Sequence, residues 1–230
     1  MTICMYDLAG ADPALRFSPY CWRTHMALKH KQLDFQTIAW RFTDTEVLAP
    51  YYAEGASRLV PVLTDDKGVV TDSWAIAKYI DENYYQERSL LLGGGTRFVS
   101  HWTDTQLLPV LTRCLIKDCY DHLDPVDQEY FRTTREGRYG KTLEEMHAER
   151  EANELNLKRV LTIIRELVRT QPFISGKAPS YSDYIVFGAF QWARCISPFK
   201  FLDDADPIAA WRGRMIRQYG SLANTVPHYD

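Results

Sequence analysis

A serine followed by a proline, Ser18 and Pro19, stands at the start of a segment with helical spacing. Proline is favoured in the first turn of a helix because its missing N–H is not needed there, so Ser18 falls in the N-cap position. A hydroxyl at that position lies at the positive end of the helix dipole and can help to hold an anion. Taken alone, Ser18 fits an ordinary N-cap at least as well.

A proline at position 61 interrupts an apolar run that otherwise has the pattern of a strand. Proline removes a donor from the hydrogen-bond ladder and is normally excluded from such a place. A cis Val60–Pro61 peptide bond at the entrance to a strand would compensate. It would leave the N–H and C=O of Val60 free to pair with an extended peptide ligand. The alternative is a proline on an edge strand.

An acidic residue and a serine, Asp72 and Ser73, stand at the start of a further helical segment. A side-chain oxygen there caps the helix, and the free N–H groups attract anions such as a carboxylate. Asp72 can instead pair with an ammonium group, and a plain capping role is the alternative to both. The joint order of Ser18, Pro61 and the Asp72–Ser73 pair favours a ligand site.

Short strands alternate with helices in the first half of the chain. Strand patterns occur in TICMYDL, in DFQTIAW and in the two β-branched runs of VPVLTDDKGVVTD, whose Asp-Lys-Gly turn indicates a hairpin. Helical spacing occurs in SPYCWRTHMALKHK and in SWAIAKYIDENY. The order βαβ followed by ββα predicts an α/β domain over residues 1–86.

Helical patterns alone follow a junction at residues 87–96. The segment ELNLKRVLTIIRELVRT carries apolar residues at the spacing of one helix face. Ser180 and Asp183 have the spacing of a capping box, in which each side chain bonds the other residue's backbone. We therefore predict an all-helical domain over residues 97–230, with its first long helix kinked or divided at Pro109.

These features, in this order over nearly the whole chain, resemble the glutathione transferase superfamily. The resemblance implies a thioredoxin-like first domain and a helical-bundle second domain. It also implies that Ser18 occupies the catalytic position, where its hydroxyl would stabilise the glutathione thiolate that acts as the nucleophile. Tyr6, at the end of the first strand, is the rival donor, since other transferase classes use a tyrosine there.

The same resemblance assigns the remaining contacts to glutathione. Val60 and Pro61 match the cis-proline element that pairs with the cysteinyl backbone of glutathione. Asp72 and Ser73 match the acidic-serine pair that holds its γ-glutamyl end. The glycyl carboxylate is left to a basic residue, for which the candidates are Arg41, Arg16 and Arg23.

Three segments, YDLAG…FSPYCWRTHMALKHK, VVTDSWAIAKYIDENY and YFRTTREGRYGKTLEE, look most like the branch that contains bacterial β-etherases and related fungal transferases. That similarity implies an aromatic ether or another small aromatic compound as the second substrate. Ligand sites often form between domains, so we expect its pocket between the two halves, near His101, Trp102 and Leu108. The superfamily resemblance also implies a homodimer. Two alternatives remain open. One is a carrier of aromatic ligands without chemistry; the other is a thiol oxidoreductase that uses Cys21, although helical spacing turns Cys21 inward.

Composition excludes several other classes of function. The net charge of −3 provides no basic surface for nucleic acid. No apolar run approaches the roughly 20 residues that span a bilayer. The five cysteines are odd in number, widely spread and not preceded by a secretory segment, so we expect a cytoplasmic protein. Neither cysteines nor histidines have metal-ligand spacing, and we expect no metal.

Overall fold

The first domain is built on a four-stranded mixed sheet. In the computed structural model, which describes residues 2–85 and 87–229, the strands are β1 (Ile3–Leu8), β2 (Phe35–Trp40), β3 (Val62–Asp65) and β4 (Gly68–Thr71). They lie in the order β2-β1-β3-β4, with β1 parallel to β2 and antiparallel to β3. Helix α1 (Pro19–His30) joins β1 to β2, and α2 (Ser73–Asn83) follows β4. The predicted thioredoxin-like βαβ–ββα order is confirmed.

The second domain is helical, as predicted. Its helices are α3 (Gly94–Trp102), α4 (Leu108–Asp121), α5 (Pro125–Tyr139), α6 (Leu143–Ala148), α7 (Arg150–Val160), α8 (Thr162–Thr170), α9 (Tyr181–Ile196) and α10 (Pro207–Ile216). Helix α3 begins inside the segment 87–96 that the sequence suggested as a linker, because Gly93 adopts φ 83° and starts the helix there. The predicted boundary at residue 86 lies outside the described residues.

Pro109 lies where the first long helix of the second domain is divided. Helix α3 ends at Trp102, a π-helical segment covers Thr103–Leu107, and α4 begins at Leu108 with Pro109 in its first turn. Proline has no N–H to give to the preceding turn, so the irregular segment precedes it. Leu107 and Leu108 are both buried at this break.

Helix α9 is buried along its whole length, and its first turn is held by one carboxylate. Asp183 accepts hydrogen bonds from the N–H groups of Ile174 (2.7 Å), Ser175 (3.1 Å) and Ser180 (3.2 Å) and from the Trp211 indole (2.9 Å). The bond from Ser180 N–H is the return half of the predicted capping box. Burial raises the pKa of Asp183 in spite of these donors.

Helices α1 and α9 pack together and join the two domains. They approach closely at Gly188, where an added β-carbon would lie 2.3 Å from the carbonyl oxygen of Pro19. That carbonyl belongs to the residue directly after Ser18. A side chain at position 188 would therefore push on the backbone beside the candidate catalytic serine.

Gly188→Ala is expected to lower the free energy of unfolding by about 1–3 kcal/mol, because overpacking at a backbone contact cannot be relieved by rotating a side chain. Gly137→Ala is the matched control, since Gly137 is also helical and a β-carbon there meets nothing within 4 Å. The control should gain about 0.5–1 kcal/mol from helix propensity. Urea denaturation of both variants measures the difference; equal stability of the two would contradict the close contact.

A histidine links the same two helices. His30 Nδ1 lies 2.6 Å from the Tyr184 hydroxyl, and burial, followed by the charges of Lys31 and Arg88, lowers its pKa to about 4. The ordinary pKa of about 6.5 applies in the unfolded chain. Between these values the unfolded chain binds more protons than the folded one, so the histidine's contribution to stability is lost as pH falls.

Unfolding free energies at about pH 7 and about pH 5 should show this loss, since most carboxylates stay ionised across that range. We expect the decrease on acidification to be smaller in His30→Gln than in the unaltered protein. His101→Gln, at an exposed histidine, should keep the full decrease. An identical pH response in His30→Gln and the unaltered protein would contradict the prediction.

Candidate active site

A cavity of about 270 Å³ lies between the two domains. The first domain contributes the ends of β1 and β2, the start of α1 and the residues before Pro61. The second contributes α4, α5 and one residue of α9. The wall is mainly apolar and rich in rings: its aromatic members are Phe17, Tyr20, Trp40, Phe42, Phe131, Tyr139 and Trp192.

Ser18 lies in the wall of this cavity and caps α1. Its backbone is extended (φ −61°, ψ 125°), and its Oγ accepts a hydrogen bond from Cys21 N–H at 3.2 Å. The Ser18 hydroxyl also contacts the Cys21 thiol: burial raises the pKa of that thiol, and the hydrogen bond from Ser18 opposes the rise. Because a serine hydroxyl rotates freely, it could instead donate to an anion in the cavity at the positive end of α1.

Tyr6 occupies a different position. Its hydroxyl lies 3.2 Å from the Tyr51 hydroxyl, and the two rings are in contact. The hydrogen bond to Tyr51, together with burial, raises the pKa of Tyr6 to about 12. Tyr6 is absent from the cavity wall as described, whereas Ser18 is part of it. Tyr6 is half-buried and Ser18 is 3% exposed, so exposure does not favour Ser18, and the choice between the two as thiolate donor stays a prediction.

Val60 lines the cavity, and the Val60–Pro61 peptide bond is cis, as the strand pattern suggested. Val60 precedes β3 and is half-buried, while Pro61 is buried. Tyr52 donates its hydroxyl hydrogen to the carbonyl of Leu59 at 2.5 Å and so holds the segment just before Val60. Val60 lies just before the start of β3, an interior strand of the sheet, and so reaches the cavity from the end of that strand.

Asp72 and Ser73 lie at the same end of the sheet. Val62 pairs with Thr71 in the β3–β4 ladder, so the chain directions bring Pro61 next to Asp72. Asp72 has φ 74°, and its Oδ1 caps α2 by accepting from Trp74 and Ala75 N–H, each at 3.0 Å. Ser73 is buried, and its carbonyl accepts from the Tyr181 hydroxyl at 2.6 Å.

The predicted basic residues are engaged with other groups. Arg41 pairs with Asp44 (3.3 Å) and Asp124 (3.4 Å), and the bond to Asp44 raises the pKa of Arg41. Arg23 is buried against Asp104 at 2.6 Å. To bind the glycyl carboxylate, Arg41 would have to exchange its two acidic partners for the ligand, and this role stays a prediction.

Cys21 is fully buried, as helical spacing predicted. Burial, followed by the charge of Asp7, raises the pKa of its thiol well above the usual range. The oxidoreductase alternative needs an exposed and acidic thiol, and Cys21 has neither property. The thiol of Cys119 lies in the cavity wall, but burial raises its pKa to about 12.

Sequence reasoning missed most of the second-domain wall. Of the three residues predicted there, Leu108 lines the cavity, but His101 is exposed and Trp102 lies in a separate groove with Phe98. The wall is instead supplied by α5, from Phe131, Arg135, Arg138 and Tyr139. The signal was present in their spacing of i, i+4, i+7 and i+8, which is one helix face.

Neither a metal cluster nor a membrane span is found in the part of the chain that the structure describes. Those residues contain no group of three or more histidine, cysteine, aspartate or glutamate side chains that could hold a metal ion. The same residues contain no helix that is long and apolar enough to cross a bilayer.

Comparisons with known proteins agree with this architecture. The family models for the glutathione S-transferase N-terminal and C-terminal domains match residues 17–83 and 96–219. The fold is similar to that of glutathione transferase GSTFuA3 from Phanerochaete chrysosporium (22% identity, TM-score 0.75, covering 98% of this chain and 94% of that chain). It is also similar to that of GSTFuA2 from the same fungus (25% identity, TM-score 0.74, covering 96% of this chain and 93% of that chain). A glutathione S-transferase of Ceriporiopsis subvermispora, solved in complex with glutathione, is similar as well (22% identity, TM-score 0.70, covering 97% of this chain and 94% of that chain).

Proposed function

The chain belongs to the glutathione S-transferase family, and on that premise we propose that it transfers glutathione to a small aromatic electrophile. The observation that carries the proposal is the position of Ser18. Its hydroxyl stands at the N-terminus of α1 and in the wall of an aromatic cavity between the two domains. A nucleophile held there would meet an aromatic partner directly.

Glutathione lies along Val60 in this proposal, with its cysteinyl backbone paired to the N–H and C=O that precede the cis-proline. Its γ-glutamyl end reaches Asp72 and Ser73, where Asp72 meets the ammonium group and the start of α2 meets the carboxylate. The β3–β4 pairing of Val62 with Thr71 supports this arrangement, because it puts both contacts at one end of the sheet.

Ser18 lowers the pKa of the glutathione thiol. A free thiol with a pKa of about 8.5 is only about 3% ionised at neutral pH. Lowering the pKa by about 2 units requires roughly 2.7 kcal/mol of preferential stabilisation of the thiolate. A hydrogen bond from the hydroxyl and the dipole of α1 together supply a free energy of that order.

The reaction then proceeds by displacement. The thiolate sulfur forms a bond to an electrophilic carbon of the acceptor, and the bond from that carbon to the leaving group breaks. In the cleavage of a β-aryl ether the electron pair goes to the ether oxygen, and the released aryloxide takes a proton from water. The thiol proton has already passed to solvent, so charge and atoms balance.

A carrier of aromatic compounds is the second candidate function. The aromatic wall favours it, since rings bind an aromatic ligand whether or not chemistry follows. We also expect a cytoplasmic homodimer, with the first domain of one subunit against the helices of the other. Val69 on β4 and Phe98 on α3 are exposed apolar side chains that support such an interface. Sedimentation of the purified protein measures the state of assembly.

Bound glutathione distinguishes the enzyme from the carrier. Its thiolate absorbance is titrated against pH, its occupancy is checked by calorimetry, and turnover is followed with chlorodinitrobenzene and with a fluorogenic β-aryl ether. We expect ionisation about 2 units below the free pKa and formation of the conjugate. Bound glutathione that keeps its free pKa, without turnover, would reject the transferase and leave the carrier.

A further inference from the structure

Two arginines of α5 line a cavity whose wall is mainly apolar. Arg135 and Arg138 both line it, one turn apart on the same helix. Among the described residues no aspartate or glutamate forms part of the wall. The described wall therefore contains the guanidinium groups of half-buried Arg135 and exposed Arg138 and no carboxylate.

Arg135 is held by rings instead of by an acid. The centre of its guanidinium lies 4.7 Å from the centroid of the Phe131 ring and 5.6 Å from that of Phe42. Its Nη1 donates to the Thr134 hydroxyl at 3.0 Å. Cation–π contacts of this kind orient a guanidinium while leaving its remaining donors unused.

The neighbouring arginine of α5, which does not line the cavity, has acidic partners. Arg132, one turn earlier on α5, bonds Glu136 at 2.7 Å and Glu144 at 2.9 Å. Within residues 2–85 and 87–229, no ion pair joins a carboxylate to Arg135 or Arg138. On α5, Arg132 thus has carboxylate partners, whereas Arg135 and Arg138 have none among the described residues.

This arrangement costs free energy when the cavity is empty. Burial, followed by repulsion from Arg138, lowers the pKa of Arg135. A half-buried cation without an anion is unfavourable, and a ligand anion brought between the two guanidinium groups removes that cost. The planar fork of a guanidinium matches the two oxygens of a carboxylate.

We propose that Arg135 and Arg138 bind a carboxylate on the aromatic ligand, so that the cavity selects small aromatic acids over uncharged aromatic compounds of the same shape. The rings of the wall hold the aromatic part, and the α5 face holds the charge. The volume of about 270 Å³ lies just below the range of about 300–1,000 Å³ for small-molecule sites, which suits a small ligand. The inference rests on the proposed function only in treating the ligand as the acceptor.

Calorimetry with cinnamate and its uncharged amide, cinnamamide, tests the proposal without turnover. The unaltered protein should bind cinnamate at least about tenfold more tightly than cinnamamide, as expected for hydrogen bonds to a charged group. Arg135→Gln should lose most of this preference by weakening cinnamate alone, and Arg138→Gln part of it. Arg135→Lys, which keeps the charge, should retain part of the preference.

Arg132→Gln is the matched control, because it removes an arginine of the same helix that lies outside the cavity; it should keep the full preference. Thermal unfolding of each variant checks the fold. Equal binding of acid and amide to the unaltered protein, or equal weakening of both by Arg135→Gln, would overturn the proposal. So would a loss of glutathione affinity in Arg135→Gln in place of a loss of cinnamate affinity, because the arginine would then serve the tripeptide.

The same titrations separate this proposal from the transferase proposal. Failure of the unaltered protein to bind glutathione would reject the transferase, while the preference for cinnamate would still be measurable and would stand on its own. Normal glutathione binding and turnover with no preference for the acid would reject the arginine site and keep the transferase.

Discussion

Replacement of Ser18 by alanine is expected to lower kcat/KM for conjugation by about 10²–10³-fold, the usual cost of removing one donor to a developing or bound anion. The pKa of bound glutathione should rise towards the free value of about 8.5. Glutathione affinity should change little, because the contacts assigned to Val60, Asp72 and Ser73 remain. The measurements are steady-state kinetics and the thiolate titration on the same preparation.

The control is Ser18→Thr, which keeps a hydroxyl at the N-cap of α1 and should keep most of the pKa shift. Loss of the cap alone costs about 1 kcal/mol of stability, so unfolding of both variants is compared with that of the unaltered protein. A pKa shift that survives in Ser18→Ala would contradict the assignment and move the role to the backbone N–H groups of α1 or to Tyr6. The Tyr6→Phe variant separates those two.

Removal of the Asp183 carboxylate is expected to have the largest effect on stability. Asp183→Ala leaves four donors without their acceptor: three are buried, at Ile174, Ser180 and Trp211, and one is part-buried, at Ser175. An unsatisfied buried donor costs about 1–3 kcal/mol, and partial rearrangement reduces the sum, so we expect a loss of about 3–5 kcal/mol. Chemical denaturation followed by circular dichroism measures it.

Asp183→Asn should lower the free energy of unfolding by an intermediate amount. One amide oxygen remains as acceptor for two of the donors, while the amide NH₂ faces the other two. Asp204→Ala, at an exposed carboxylate, should stay within about 0.5 kcal/mol of the unaltered protein. A loss below about 1 kcal/mol in Asp183→Ala would mean that the first turn of α9 does not depend on this network.

The first domain could be predicted from the sequence because its signals are local. Strand alternation, the Ser18–Pro19 helix start and the Asp-Lys-Gly hairpin each act within a few residues, and each corresponds to an element of the structure. The cis bond at Pro61 followed from the conflict between a proline and a strand pattern. The Asp183 return bond followed from a spacing of three residues.

The second-domain wall of the cavity could not be predicted in the same way. Phe131 and Arg135 lie in a segment rich in charge, and a helix with arginines along one side resembles a solvated surface until a partner surface is known. Here Phe42, from the loop after β2, covers that side. The spacing of the wall residues of α5 marks one helix face, but it does not show which distant segment of the chain covers that face.

The contact of Gly188 with the Pro19 carbonyl also limits how this protein can be recombined. Ser18, proposed to activate the thiol, and the helices proposed to bind the acceptor belong to separate domains, which suggests that helical domains could be exchanged between relatives to obtain new specificities. Because α9 touches the main chain beside Ser18, a foreign helical domain would need a glycine at the position of Gly188 in α9. Its α9 would also have to cross α1 at the same angle. Chimeras joined within residues 87–96 should therefore retain activity only when the contact between α1 and α9 is preserved. Substitutions on α5 are a better way to alter acceptor specificity.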